Sequence, residues 1–244
     1  MKLGVNIDHV ATLRQARYAA DIHAHNAEPN LVAAAAACEQ AGAHGITIHL
    51  RADRRHIQDA DVWELRQSLR TRLNLEMGNT PEILAIALKV RPHEVCLVPE
   101  NRAEITTEGG LEVAGQWDAL RPTVDQLRAG GIRVSMFIEP EARQIEASKA
   151  LGADMVELHT GAFANAQGEP HRQELVRLQQ AAELAHSIGL QVNAGHGINY
   201  ENIARIRQIP HLAELNIGHS IVARAIFVGM EQAVKDMLAG MAGR

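Results

Sequence analysis

The chain has 244 residues, of which 46% are hydrophobic and 3% aromatic, with a formal net charge of −5. That hydrophobic share excludes a disordered chain, and so few aromatics argue against a stacking platform for nucleic acid or glycan. The charges are mixed along the chain with no basic block, so nucleic acid is a poor partner.

A chain of this length buries about three-quarters of its unfolded surface in one core. Cys38 and Cys96 lie in apolar runs without a CxxC neighbour, the pattern of buried free thiols in a reducing compartment. The segment MKLGVNIDHV lacks the apolar stretch of a signal peptide, and no apolar run reaches membrane-spanning length. These features predict a cytoplasmic protein with no membrane partner.

Short β-prone runs alternate with helical segments. The first strand is LGVNID (3–8), followed by a long connection, VATLRQARYAADIHAHNAEPN, and an Ala-rich helix over NLVAAAAACEQAGAH. GITIHL (45–50), RLNLEM (72–77) and EVCLVP (94–99) follow, the last leading into a second long connection, ENRAEITTEGGLEVAGQ. The later strands are RVSMFI (133–138), MVELHT (155–160), QVNAG (191–195) and ELNIG (214–218). In the helical segments, such as ELVRLQQAAELAHSIG, apolar residues recur every three or four positions. Gly42, Gly131, Gly152 and Gly189 stand where a helix must stop before the next strand, a place that favours positive φ.

Eight β/α alternations without a linker predict one α/β domain, residues 1–244, closed as a (β/α)8 TIM barrel with long catalytic-face loops after strands one and four. An open doubly wound sheet would carry a glycine-rich loop after strand one, whereas DHVATLRQAR has no glycine. QAGAHGITIHL resembles ALGADMVELHT, through half-barrel duplication or through two units meeting the same geometry.

In such a barrel the strand C-termini face the catalytic site. They carry Asn6, Asp8 and His9; His49, Arg51 and His56; Glu76; Glu100, Thr106 and Thr107; Glu139; Glu157, His159 and Thr160; Asn193 and His196; and Asn216, Gly218 and His219. So many ionisable groups at strand ends point to one shared active site. Structural roles compete at some of them. Asp8 could cap a turn, one of Glu157 and His159 could be structural, and Asn193 and Asn216 could satisfy polar groups inside the barrel. His23 and His25 form an HxH pair, but deep in a connection rather than at a strand end. His44, His93, His171, His186 and His211 read as surface residues.

The stretches VNAGHGINY and NIGHSIVARAI each end a strand on a glycine beside a histidine. Loops after strands seven and eight commonly bind phosphate, because glycine lets backbone N–H groups approach it and the following helix adds its positive end. Asn199 is a candidate N-cap there. His196 then suits an acid acting on substrate and His219 a phosphate ligand. Lys2, Lys89, Lys149 and Lys235 all avoid the strand ends, which disfavours a lysine Schiff base. With no HExxH or similar spacing, the reading is His/Glu acid–base catalysis without metal.

Taken together, GVNIDHVATLRQAR, GITIHLRADRRHI, LNLEM, LVPENRAEITTEGGL, VELHTG, VNAGHGINY and LNIGHSIVARAI closely resemble the pyridoxine 5′-phosphate synthase family. The likeness lapses in YAADIHAHNAEPN, which is longer than the family pattern. It implies a cofactor-free (β/α)8 enzyme of vitamin B6 synthesis. Such an enzyme condenses 1-deoxy-D-xylulose 5-phosphate with 3-amino-2-oxopropyl phosphate to give pyridoxine 5′-phosphate, phosphate and water. By the same resemblance Asn6, Arg17, Gly197, Gly218 and His219 bind the amino-ketone phosphate. Asp8, His9, Arg51, His56 and Thr106 bind the deoxyxylulose phosphate. His49 and Glu76 accept protons, His196 donates one, and Glu157 stabilises charge in a transition state. Arg17 lies in the first connection, which in this family can reach a neighbouring subunit, and the implied assembly is a homo-octamer built from dimers. The competing readings are a phosphosugar isomerase or epimerase barrel using Glu76 and His196, and a non-catalytic phosphometabolite-binding barrel.

Overall fold

The structure is a computed structural model that describes residues 1–100 and 109–243. It begins with β1 (Lys2–Asn6), α1 (Asp8–Tyr18), α2 (Leu31–Ala41), β2 (Gly45–His49), α3 (Asp59–Ser68), β3 (Arg72–Met77) and α4 (Pro81–Val90). Then come β4 (Glu94–Leu97), α5 (Trp117–Ala129), β5 (Arg133–Ile138), α6 (Ala142–Leu151), β6 (Met155–His159), α7 (Gly161–Asn165) and α8 (Gly168–Ser187). β7 (Gln191–Gly195), α9 (Ile203–Ile206), β8 (Leu212–Ile217), α10 (His219–Val228) and α11 (Met230–Ala242) complete it. All strand pairs are parallel and the sheet closes in the order β1 to β8. This is the expected (β/α)8 barrel.

Period-two alternation divides each strand between two environments. Leu3 and Val5, Ile46 and Ile48, Leu73 and Leu75, and Leu215 and Ile217 are fully or almost fully buried and belong to the core shared with the helices. The alternate residues fill the barrel interior, and they are largely polar. Near its N-terminal end Arg72 bonds both Glu94 and Glu214. One level up, Thr47 Oγ1 donates to Asn216 Oδ1 at 2.9 Å, and Asn216 Nδ2 donates to Glu157 Oε2 at 2.6 Å. A polar interior is costly unless its groups are paired, so this ladder of hydrogen bonds holds the barrel walls in register. Gly4 makes room for it, since a Cβ there would lie 2.1 Å from Asn216 Oδ1.

The helix stops at Gly42, Gly131, Gly152 and Gly189 all have positive φ, as expected. The first connection differs from a simple loop. β1 ends at Asn6, and Asn6 Oδ1 accepts from the Asp8 amide while its amide nitrogen donates to Asp8 Oδ2, turning the chain at once into α1. Half of the predicted long loop is therefore helix. Arg14 fixes that helix to α3 by two bonds to Asp61, at 2.6 and 2.8 Å, both side chains being buried.

His44 and His93 are exposed as expected, yet both have a structural task. Each ring Nδ1 accepts from a strand amide, Leu3 N–H at 3.2 Å and Leu73 N–H at 3.0 Å. Asp154 does the same for Val134 N–H at 2.9 Å. A side chain preceding each of β2, β4 and β6 thus anchors the start of the strand before it.

Candidate active site

At the C-terminal mouth, β2 and β3 place His49 opposite Glu76 in register. Asp8 Oδ1 accepts the His49 amide at 2.8 Å, tying the start of α1 to the end of β2. His49 Nε2 lies 3.0 Å from Glu100 Oε1, and the Glu100 carboxylate also accepts from the Ala52 and Gly78 amides, each at 3.0 Å. Burial opposes ionisation of Glu100, but these three donors outweigh it and hold its pKa below the ordinary carboxylate value. An ionised carboxylate only accepts, so the hydrogen sits on His49 Nε2. The Nδ1 lone pair is left facing Glu76, whose Oε2 is 4.0 Å away. Glu76 is of the opposite kind: burial, then the charges of Glu157 and Asp8, raise its pKa well above the usual range. An imidazole held by one carboxylate therefore faces a carboxyl group whose burial favours its protonated form, a pair of groups able to take and give a proton.

Glu157 projects into the centre of the barrel. Burial, opposed by the Asn216 amide and aided by Glu214 and Glu94, pushes its pKa up to about 8. Space for its carboxyl comes from Gly195, where a Cβ would sit 2.1 Å from Glu157 Oε1.

His196 follows Gly195 with φ +74°, left-handed backbone that a non-glycine residue rarely adopts. Thr160 holds it there: its hydroxyl donates to the carbonyls of both Gly195 and His196. Burial, then the neighbouring His159, lowers the His196 pKa to about 4. The adjoining Gly197 also has positive φ. Ser220, in the first turn of α10, donates to Ile198 O at 2.8 Å, joining the loops after β7 and β8. Gly218 is the N-cap of α10, so free N–H groups at the start of this ten-residue helix point to the same place. Asn199 is not a helix N-cap. It forms a turn instead, accepting from the Glu201 and Asn202 amides.

A cavity of about 620 Å³ opens here, within the range of small-ligand sites. Its walls include His49, Glu76, Glu157 and His196; Asn6, Gly197, Gly218 and His219; and Asp8, His9, Arg51 and His56. Arg17 is not among them; it lies exposed near the end of α1 with its guanidinium 5.8 Å from the Tyr18 ring centroid. Thr106 lies outside the described residues. The two groups expected to bind different substrates touch: the His9 and His219 rings meet edge to face at 5.1 Å. The Ile57 amide donates to His56 Nδ1 at 2.9 Å, so His56 presents Nε2–H. Burial lowers the pKa of both His9 and His56, favouring neutral rings.

The structure gives specific partners to further strand-end residues. Glu100 orients His49, and Asn216 orients Glu157. Glu139 Oε1 lies 2.7 Å from His159 Nδ1, and the His159 ring contacts His196 at 4.9 Å between centroids. Glu100, Glu139 and His159 all stand at strand ends in the sequence, but which side chain each grips is a cross-strand relation. Asp8, His49 and Glu76 each bring one donor atom within 4.8 Å of the others, the spacing of a cation site. Asp8 Oδ1 is already occupied by the His49 amide, and a protonated Glu76 is a poor ligand. The HxH pair is exposed and outside this cavity.

The sequence profile of the family described as "Pyridoxal phosphate biosynthesis protein PdxJ" matches residues 3–243. Pyridoxine 5′-phosphate synthase of Akkermansia muciniphila is 57% identical over 238 residues, covering 97% of each chain. The enzyme of that name from Opitutus terrae is 57% identical over 239 residues, covering 96% of each chain. Among solved structures, a 3-hexulose-6-phosphate synthase superposes with a TM-score of 0.66 at 16% identity, covering 99% of this chain and 100% of that one, which shows a shared barrel fold. On the near-complete profile match and the identity to full-length relatives, the chain belongs to the PdxJ family of pyridoxal phosphate biosynthesis proteins.

Proposed function

We propose that this barrel is a pyridoxine 5′-phosphate synthase, condensing 1-deoxy-D-xylulose 5-phosphate with 3-amino-2-oxopropyl phosphate into pyridoxine 5′-phosphate, phosphate and water. The observation that carries the reading is one cavity with two edges of a chemistry suited to anions, flanking β1. Gly218, His219 and the start of α10 form one edge, Arg51 and His56 the other, and His49, Glu76, Glu157 and His196 line the same space. A single-substrate isomerase needs one phosphate pocket only.

The chemistry follows from the protonation states. The amino ketone supplies the amine that attacks the sugar ketone, so no enzymic lysine is required. His49 Nδ1 takes the proton released in imine formation, and the neutral Glu76 carboxyl gives one to the departing water and then serves as base. Glu157, neutral at rest, ionises where positive charge develops on the ring nitrogen. His196 hands a proton to a leaving oxygen. Each such group contributes about 10²–10⁴-fold, and holding two substrates together contributes more. Asn6 and Gly197 join Gly218 and His219 on the amino-ketone phosphate. Asp8, His9 and Thr106 join Arg51 and His56 on the sugar phosphate.

Exposed apolar side chains support self-assembly. Ile226 and Phe227, near the end of α10, are 73% and 88% exposed, and Leu13 on the adjoining α1 is 60% exposed. Such a patch fits burial against another copy, and a homo-octamer built from dimers is the proposed form, with Arg17 on the same helix as Leu13 serving a neighbouring site. No helix among the described residues is long and apolar enough to cross a membrane. Buried, unpaired Cys38 and Cys96 fit a cytoplasmic setting.

The test is incubation of the purified chain with both ketone phosphates, with chelator and without nucleotide. A pyridine chromophore with equimolar phosphate supports the reading. Conversion of one ketone alone supports an isomerase, and binding without conversion supports a carrier; either would refute it.

A further inference from the structure

The mouth of the barrel is polar on most of its strands. Asn6 on β1, His49 on β2, Glu76 on β3, Glu157 on β6 and Asn216 on β8 all face the cavity. The wall on β4 and β5 breaks that pattern. Val98, directly after β4, and Phe137 on β5 line the same cavity with apolar side chains.

These two residues are 4% and 5% exposed, and they pack with the fully buried Cys96 in a cluster separate from the main core. Ile198 and Ile217 also line the cavity, but they belong to the main core. Cys96 is a small apolar partner here. The patch is held firmly. The Val98 amide extends the pairing with β3 by donating to Met77 O at 3.0 Å, and the Phe137 ring meets the His159 ring edge to face at 5.2 Å between centroids. In the closed order of strands, β4 and β5 stand across the barrel from β1, and so across from the two edges suited to anions. Cys96 pairs in register with Glu76, and Phe137 with Glu157. The apolar patch therefore lies between the two buried carboxyl groups.

We propose that Val98 and Phe137 form a methyl subsite that selects the 1-deoxy sugar against D-xylulose 5-phosphate, the same ketose with a hydroxyl on C1. This inference rests on the proposed reaction. In 1-deoxy-D-xylulose 5-phosphate the phosphate and the C1 methyl are at opposite ends of the chain. A phosphate held by Arg51 and His56 directs C1 across the barrel, toward β4 and β5. The methyl is bonded to the C2 ketone that the amine attacks. With the new nitrogen bond forming beside Glu157, the methyl falls against Phe137, the register neighbour of Glu157. A C1 hydroxyl in that place loses its water, and neither Val98 nor Phe137 can replace the lost hydrogen bond. Val98 and Phe137 thus set specificity without taking part in proton transfer.

The experiment has two arms. In the first, kcat/KM is measured for 1-deoxy-D-xylulose 5-phosphate and for D-xylulose 5-phosphate, with the amino-ketone phosphate held constant. Wild type is expected to favour the deoxy sugar by about 10²-fold, the usual limit for an apolar pocket rejecting an added hydroxyl. Val98→Thr keeps the side-chain volume and brings a hydroxyl to the patch. Its preference should fall by about tenfold, with an absolute gain in kcat/KM for xylulose 5-phosphate that a merely damaged site would not show. Phe137→Leu opens room for a water beside C1 and should narrow the preference by about threefold or more. In the second arm, binding of each sugar phosphate alone is measured by calorimetry, and the deoxy sugar should bind wild type about tenfold tighter or more. A preference below about threefold in wild type in both arms, or one unchanged in both variants, overturns the proposal. Failure of either sugar phosphate to bind overturns it as well. If wild type forms no pyridine ring but binds the deoxy sugar in preference, and Val98→Thr narrows that gap, the methyl subsite stands and the reaction assignment fails.

Discussion

Replacing Glu157 by Gln should make the protein more stable and far less active, and the size of the gain should depend on pH. Glu157 is 3% exposed, and its pKa in the fold is about 8, against about 4.3 in an unfolded chain. A raised pKa means that the folded state keeps a proton that the unfolded state releases. The stabilisation is complete below pH ~4 and falls by about 1.4 kcal/mol per pH unit until the folded group ionises near pH 8. At pH 7 the loss is about 4 kcal/mol. Gln stays neutral and still offers a carbonyl to Asn216 Nδ2, so it removes the cost and keeps the hydrogen bond. The excess stability of the variant should grow from near zero at pH ~4.5 to about 4 kcal/mol at pH 7, or about 8 °C in Tm. Urea unfolding of both proteins across this range gives the difference directly, and turnover of the variant should drop by about 10²–10⁴-fold. A stability difference that is flat with pH, or that favours wild type as pH rises, would refute the reasoning.

Glu76→Gln should abolish ring formation without lowering Tm, since the native carboxyl is already neutral; unfolding of the variant by calorimetry would expose a structural role instead. Gly197→Ala places a Cβ at φ +76° and 2.6 Å from Ala164 Cβ, so it should cost about 1–3 kcal/mol and raise the KM for the amino ketone. Arg14→Ala leaves Asp61 buried and unpaired, for an expected loss of about 3–5 kcal/mol in urea unfolding. The double variant with Asp61→Ala should lose less than the sum of the single changes.

Much of this could be read from sequence because strand alternation writes the barrel interior in plain form. In RLNLEM the odd-numbered Leu73 and Leu75 mark the helix-facing side, while Asn74 and Glu76 mark the inner one. The glycine–histidine turns after β7 and β8 were equally legible: His196 stands between Gly195 and Gly197, and His219 follows Gly218 at the first position of α10. What escaped were relations between distant side chains. The hold of Glu100 on His49 depends on two backbone amides from different loops, and that of Glu139 on His159 spans 20 positions. The first connection read as a loop because its helix is amphipathic only weakly: Leu13 faces solvent while Arg14 is buried by its pairing with Asp61. Arg17 stands outside the cavity of a single chain, and nothing in its local pattern shows where it reaches.

The central claim is that two phosphorylated ketones occupy one barrel mouth, each held by its own edge. Steady-state KM values for both substrates in Arg51→Met and His219→Asn test it most directly. The expected pattern is crossed: about a tenfold or greater rise for the deoxyxylulose phosphate in the first variant and for the amino-ketone phosphate in the second, each with little effect on the other. Equal rises for both substrates in both variants, or none in either, would contradict the account.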